Sequence, residues 1–497
     1  HNVLLITFKP NKRSISNPMD EILNHIENLY LSVHSTPWDQ INKIPQSGGD
    51  RIYFRITQGE QSWIATYNLN IKENETFIYF AAHFTAKNMP VPKVLAISQD
   101  KSIYIQSDLG NVSLLEVLEK EGKTEHVFSL FQKSLKALAK LQVQGGQGLD
   151  YAHCLTSKEF GKHSILTDLL YYKYYFLDTL QYPYDKQALI DEFELLSDRL
   201  ASKELNHFLF RDFQSRNIIV NNDEVYFIDF QGGMQGGLSY DVASLLWQAK
   251  AELSNEWKEK LVDYYISEVQ QLLPTPMDEV KFKNQYNGFV LLRLLQVLGA
   301  YGFRGLFERK AHFLTSIPLG LRNLKSFLAV SPIDAESPVF ASILHWMVSD
   351  EVVARFTPPI ATDKTPLVVT INSFSYKKGL PNDATENGGG FIFDMRGILN
   401  PGRFDAYKKL SGQDKPVQDF LEQRTKMNTF LNSVWDLIDI TVENYLERGF
   451  ESLQINFGCT GGQHRSVFAA EQTARHLKNK YKVKLDLEHT NKDNWVK

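Results

Sequence analysis

Asp212, Asn217 and Asp229 are the residues whose types and spacing point most directly to chemistry. The run Phe210-Arg211-Asp212-Phe213-Gln214-Ser215-Arg216-Asn217 has D-x-x-x-x-N spacing, and Val225-Tyr226-Phe227-Ile228-Asp229-Phe230 follows after a turn at Asn221-Asn222-Asp223-Glu224. Phosphoryl transfer asks for a carboxylate at the acceptor hydroxyl, an amide that binds a metal ion, and a second carboxylate on the Mg²⁺ that bridges the nucleotide phosphates. A hairpin through that turn would bring Asn217 and Asp229 to the same end of two paired strands, where one ion can contact both. The plain alternative is two turn carboxylates and a capping Asn; the spacing, the turn and the apolar Ile218-Ile219-Val220 between them favour a kinase.

A second cluster lies near the end of the chain. Gly458-Cys459-Thr460-Gly461-Gly462-Gln463-His464-Arg465-Ser466 falls between an expected strand and a helix with Val467, Ala470, Ala474 and Leu477 on one face. A glycine-containing strand-to-helix turn directs free N–H groups and the positive helix end at an anion, and His464 and Arg465 add donors. Cys459, Thr460, Gly461, Gly462, Gln463, His464, Arg465 and Ser466 are therefore candidate phosphate ligands. The same residues satisfy C-x₅-R-S, the spacing of cysteine phosphatases, so a bifunctional kinase and phosphatase is an alternative.

The elements around these clusters separate into two patterns. Strands are expected at Ile52–Ile56, Ser62–Tyr67 and Ile103–Ser107, with helices at Pro18–His34 and Glu75–Lys87, the latter carrying Phe77, Phe80, Ala81 and Phe84 on one face. Helical periods run from Leu114 to Gln144, Leu166 to Ala201, Tyr240 to Gln271 and Glu279 to Leu298. The segment Thr357–Pro366 reads as a linker. Beyond it, short β runs at Leu367–Ile371, Phe391–Asp394, Ser452–Phe457 and Val483–Leu487 alternate with helical stretches at Val417–Glu447 and Arg465–Asn479, the pattern of an α/β sheet.

The first region resembles the aminoglycoside phosphotransferase-like kinases, and most closely their anomeric N-acetylmuramate/N-acetylglucosamine kinase (AmgK) branch. The resemblance is carried by Gly48-Gly49-Asp50-Arg51-Ile52-Tyr53-Phe54-Arg55, Ser107-Asp108-Leu109-Gly110, the Arg211–Asn217 loop, Phe227–Gln231, Ser239–Leu246 and Leu295–Phe303. It implies an α+β bilobal protein-kinase-like domain using ATP and Mg²⁺, with Asp212 as catalytic base, Asn217 and Asp229 on the metal, and Asp241 as a structural brace for the loop. Gly48, Gly49, Asp50, Arg51, Ser107 and Asp108 would bind nucleotide; Arg55, Arg211 and Arg216 are candidates for phosphate or sugar-carboxylate contacts. The family often has His where Phe210 and Gln214 stand. Many relatives also carry a Lys on the third strand, which reads Trp63-Ile64-Ala65-Thr66-Tyr67 here.

The last region resembles the C-terminal domain of the RNase adapter protein family, RapZ, through Asn372–Pro381, Phe393–Pro401, Gly412–Val417 and Gly458–Ser466. That resemblance implies recognition of an amino-sugar phosphate and a contribution to RNA binding. The family's usual N-terminal P-loop domain is replaced by the kinase, which weakens the RNA expectation. The divisions expected are a kinase N-lobe at 1–106, a C-lobe at 107–332, a connecting helix and linker at 333–365, and a separate α/β domain at 366–497. A regulatory metabolite- or RNA-binding protein with a degenerate kinase lobe is the further alternative.

Composition bounds these readings. At 497 residues the chain has room for two or three cores. Its net charge of −4 gives no general attraction to polyanions, and Cys154 and Cys459 are too few and too far apart for a disulfide framework. No stretch reads as a membrane span or a signal peptide, so no membrane partner is expected and a cytoplasmic location is.

Overall fold

A computed structural model describes residues 18–44, 51–201, 207–308, 311–331, 337–383, 385 and 390–496. They form two compact units: one runs up to Leu170 and resumes over Asp185–Gln296, and the other comprises Tyr171–Tyr184 and Val297–Lys497.

The first unit opens with α1 (Pro18–Leu31) and a five-stranded antiparallel sheet of order β1-β2-β3-β5-β4, with β1 Gln40–Lys43, β2 Ile52–Gln58, β3 Gln61–Tyr67, β4 Val94–Ile97 and β5 Ile103–Ser107. The tight β2–β3 link is made at Gly59, whose φ of +56° suits glycine. Alternation buries Phe54, Ile56, Trp63, Ala65, Ile103 and Ile105 against Ile26 and Tyr30 of α1. Between β3 and β4 lies α2 (Ile71–Ala86), capped by the Asn70 side chain and burying Phe77, Phe80, Ala81 and Phe84, the face its period indicates. Strands β1 and β4 escape sequence reading because each has only four residues and one side of each stays wet.

The rest of this unit is mainly helical: α3 (Leu114–Glu121), α4 (Glu125–Lys140), α5 (Lys162–Tyr175), α6 (Lys186–Leu200), α7 (Ser239–Leu246), α8 (Asn255–Gln270) and α9 (Glu279–Gly302). Helices α5 and α9 each continue past the unit's bounds. The single helical period expected over 114–144 is broken at Gly122, with φ +72°, and restarted by Thr124 as N-cap. Asp185 and Ser254 likewise restart α6 and α8. Apolar period continues across such breaks, whereas the caps end one hydrogen-bond ladder and begin another. Two two-stranded ribbons interrupt the helices: β6 (His207–Leu209) with β9 (Met234–Gly236), and β7 (Ile218–Asn221) with β8 (Glu224–Phe227).

Contrary to the expectation of no membrane-length segment, Glu279–Phe307 is long and apolar enough by length and composition to cross a membrane. In the structure 61% of its most apolar window is buried within the protein, so its apolar surface serves packing.

The second unit holds α10 to α13 (Ala311–Leu314, Ile317–Val330, Pro338–Met347, Asp350–Arg355) and then a parallel sheet of order β11-β12-β10-β13, with β10 Val368–Ser375, β11 Phe391–Asp394, β12 Ser452–Cys459 and β13 Lys484–His489. Parallel strands need crossovers, supplied here by α14 (Lys415–Arg424) with α15 (Met427–Arg448), and by α16 (Arg465–Tyr481). The expected helix over 417–447 is therefore two. Val369, Ile371, Ile455 and Phe457 share one core with Leu431, Val434, Ile438, Phe468 and Leu477. Ser375 pairs with Cys459 at the strand ends, so the loop after β12 opens at the carboxyl edge of the sheet, where α/β proteins place ligands.

Gly412 supports the start of α16. A Cβ there would stand 2.3 Å from His464 O and 2.4 Å from Phe468 N, both backbone atoms. Gly412→Ala is therefore expected to destabilise this sheet domain by about 1–3 kcal/mol, visible as a lowered unfolding transition in circular dichroism.

Candidate functional site

The loop around Asp212 is shaped from beneath. Asp241, fully buried in the first turn of α7, accepts the N–H of Phe210 at 2.8 Å, the N–H of Arg211 at 3.0 Å and the Gln142 side-chain N–H at 2.9 Å. Burial pushes its carboxyl up to about 7, opposed by these three donors. Arg211 is at φ +80°, a conformation costly for a non-glycine residue, with its N–H and its guanidinium both held. Its guanidinium turns away to Asp168 at 2.7 Å and the Tyr240 hydroxyl at 2.7 Å.

Asp212 stands on top of this loop, one third exposed at 32%. Gln214 donates to its Oδ1 at 2.7 Å and Arg216 to its Oδ2 at 2.9 Å, while the Asn217 amide N–H bonds its main-chain oxygen at 2.9 Å. Gln214 thus offers Asp212 a neutral donor. From α9, Arg293 reaches within 3.7 Å of Asp212 Oδ1 with a side chain only 9% exposed. Sequence reading missed Arg293, although a lone arginine inside Val290-Leu291-Leu292-Arg293-Leu294-Leu295 was a visible signal. A buried charge needs a partner, and here it bonds the Tyr240 hydroxyl and Gln296.

The hairpin forms as the turn residues require. Asn222 and Asp223 both have positive φ, the two-residue pattern that matches strand twist. Ile218 pairs with Phe227, and the Ile228 N–H bonds Asn217 O at 3.0 Å, which places Asn217 and Asp229 beside each other at one end. Asp229, at φ +68°, accepts from Arg51 at 2.6 Å and Gln231 at 2.8 Å on the same oxygen. Burial alone would raise its pKa; Arg51 and Gln231 outweigh that and hold the carboxyl below its usual range. Arg51 also lies 3.4 Å from Glu73 on α2, a second residue that sequence reading did not single out.

Asn217 and Asp229 line a cavity of about 330 Å³, whose walls include Ile44, Ile64, Tyr53, Tyr104, Ile219 and Ile228. One carboxylate and one amide oxygen suit a hard cation such as Mg²⁺ but fill only part of its shell, which substrate phosphates ordinarily complete. Among the described residues no group of three or more His, Cys, Asp or Glu side chains could hold a metal unaided.

The other expected nucleotide ligands differ in what they touch. Gly48, Gly49 and Asp50 lie outside the described residues. Arg51, Ser107 and Asp108 all line the cavity. The Ser107 hydroxyl, however, accepts the Lys93 N–H at 2.9 Å. Asp108, its side chain 4% exposed, is taken by Arg55 at 2.6 Å, Ser62 at 2.8 Å and the Gly110 N–H at 3.0 Å. These two side chains build the wall, and Arg55 is committed with them. Of the arginines considered for an acceptor anion, Arg216 is the most solvent-open.

At the loop after β12, Cys459 Sγ is 3.1 Å from Ser466 Oγ and accepts the Gly462 N–H at 3.2 Å. Gln463 donates to Leu410 O at 2.9 Å, His464 Nε2–H to Tyr407 O at 2.8 Å, and Arg465 to Ile398 O at 2.7 Å and Arg396 O at 3.1 Å. These three side chains fasten the loop to its neighbours, while Thr460 and Gly461 face solvent. Gly458 is required because a Cβ would meet Phe374 at 2.4 Å.

The first unit has the architecture of a phosphotransferase with a protein-kinase-like fold, and the sheet after residue 366 is a separate parallel α/β domain. Residues 41–277 match the phosphotransferase enzyme family and residues 367–493 match the RapZ C-terminal domain, so the chain carries a domain of each. A nucleotide-binding protein of Endomicrobium trichonymphae is 39% identical over 137 residues, 27% of this chain and 46% of that protein. Another, from Shewanella halifaxensis, is 40% identical over 121 residues, 24% of this chain and 40% of that protein. The chain thus spans less than half the length of these relatives. A choline/ethanolamine kinase family protein of Mesorhizobium loti aligns in structure over 66% of this chain and 99% of its own, at 12% identity and a TM-score of 0.44.

Two outcomes follow from the geometry. Asp241→Asn turns an amide N–H toward donors it must accept from, so the first unit should lose about 1–3 kcal/mol, read as a lower urea midpoint. Burial lowers the His464 pKa below 6.5. The folded protein therefore refuses a proton that the unfolded chain takes, and this contribution to stability falls as pH drops below about 6.5. His464→Gln should flatten that acid limb in thermal melts recorded from pH 8 to pH 5.

Proposed function

We propose that the chain is an ATP- and Mg²⁺-dependent kinase that phosphorylates an amino sugar of the N-acetylmuramate/N-acetylglucosamine type at the anomeric hydroxyl, working in the cytoplasm. Residues 1–106 and 107–332 are its two lobes, 333–365 connect them onward, and 366–497 bind a sugar phosphate. The carrying observation is the placement of Asp212 next to Asn217, with Asn217 and Asp229 lining one cavity.

In this reading Asp212 accepts the proton of the acceptor hydroxyl. Gln214, Arg216 and Arg293 fix the carboxylate's direction, and Asp241 fixes the loop. The apolar walls with Tyr53 and Tyr104 receive the base, while Arg51 lies at the phosphate end. Asn217 and Asp229 would hold Mg²⁺, which when bound spreads the charge of the transferring phosphoryl group. At the sheet domain, the N-terminus of α16 and the solvent-facing Thr460 and Gly461 favour an anion, and an amino-sugar phosphate is the ligand proposed.

The test is ³¹P NMR of the protein with Mg-ATP and separate N-acetylmuramate, N-acetylglucosamine, glucosamine and aminoglycoside acceptors. A sugar 1-phosphate signal is expected for the N-acetylated sugars, with Asp212→Asn slowing it about 10²–10⁴-fold. No new signal with any sugar, or undiminished turnover by Asp212→Asn, overturns the reading. Nucleotide binding without turnover would instead favour a regulatory protein.

A further inference from the structure

The strand wall of the cavity carries no lysine. On β3 the residue opposite Tyr53 is Thr66, which shares a face with the cavity-lining Tyr53 and Ile64. Its side chain is buried and uncharged. A cation nevertheless reaches the metal end from the neighbouring strand. Arg51, just before β2, puts one guanidinium nitrogen 2.6 Å from Asp229 Oδ1 and 3.4 Å from Glu73 Oε1, with its side chain 18% exposed. Its guanidinium carbon lies 6.0 Å from the centre of the Tyr53 ring.

This arrangement creates a conflict of charge. Among the described residues the cavity is lined by two carboxylates; Asp108 is held by Arg55, and Arg51 already neutralises one oxygen of Asp229. A divalent cation on Asp229 would sit within a few ångströms of the guanidinium, and like charges in a partly desolvated site repel strongly. A polyphosphate resolves the conflict because it offers oxygens to both cations. Guanidinium groups match phosphate geometry as well as they match carboxylates.

We propose that Arg51 is a displaceable counter-ion that makes metal binding at Asp229 conditional on nucleotide. It rests on Asp229 and Glu73 before nucleotide binds and shifts to the phosphates when nucleotide enters, freeing Asp229 for the metal. Glu73 remains as the anchor that keeps the guanidinium close. The reach of Arg51 thereby replaces, from an adjacent strand, a cation that Thr66 cannot provide. This inference rests on the kinase reading above and adds an order to it: nucleotide and metal enter together, and metal alone binds weakly.

Full-length protein is titrated with Mn²⁺, free Mn²⁺ being read by electron paramagnetic resonance, with and without AMP-PNP; nucleotide affinity without metal is measured by calorimetry. In the parent, AMP-PNP should tighten Mn²⁺ binding at least tenfold, within the usual range of coupling between sites. Arg51→Gln should bind Mn²⁺ alone about tenfold more tightly and AMP-PNP alone more weakly, so that the coupling shrinks. Arg51→Lys, which keeps the charge, should retain part of the coupling and guards against a fold defect in the Gln variant. Mn²⁺ affinity in Arg51→Gln no higher than in the parent, or equal coupling in the Gln and Lys variants, overturns the proposal while leaving the kinase reading intact. Absence of AMP-PNP binding by the parent, or Mn²⁺ binding unaffected by Asp229→Asn, removes both.

Discussion

The loop that carries Asp212 depends on one buried acceptor. Asp241 receives two consecutive backbone N–H groups, those of Phe210 and Arg211, and a third donor from Gln142. Those bonds fix the chain as it enters the loop, and Arg211, at positive φ, turns it there. That turn lifts Asp212 out of the core toward solvent. The Phe rings at 208, 210, 213, 227 and 230 pack on the apolar side, so the strained backbone is surrounded by contacts that leave it little alternative.

Around that brace, Asp212 and Asp229 each have a cationic neighbour and each keeps about a third of its side chain exposed. Arg216 and Arg293 approach Asp212 from opposite degrees of exposure, one open and one buried. Arg211, by contrast, is consumed by Asp168 and Tyr240, and Arg55 by Asp108. The structure thus divides the arginines that motif reading grouped together. Arg55 and Arg211 belong to the framework, whereas Arg216 is open to solvent.

The sheet domain uses a different economy. Its turn after β12 has glycines and a helix N-terminus, but Gln463, His464 and Arg465 are turned toward main-chain oxygens of Leu410, Tyr407 and Ile398. Side chains chosen for their donors are spent on holding loops together. What remains turned outward is backbone and Thr460. The turn is preorganised, because the surrounding loops already restrain it.

The sequence by itself determined the local features: the D-x-x-x-x-N spacing, the Asn222-Asp223 turn that puts Asn217 beside Asp229, the α2 face, and the alternation of strands with helices after residue 366. These are legible because they depend on neighbours a few residues away, through hairpin twist and helical or strand period. Short strands such as β1 and helix restarts at Thr124, Asp185 and Ser254 were not, since four residues carry little pattern and a cap interrupts a period without erasing it. Only the tertiary structure decided which charged groups meet. Arg51 with Asp229 and Glu73, Arg293 with Asp212, and Arg55 with Asp108 join residues 22 to 178 positions apart. Such pairs follow from burial and direction of side chains, for a charge withdrawn from water settles on whichever partner the fold brings within reach, and chain spacing says nothing about that distance.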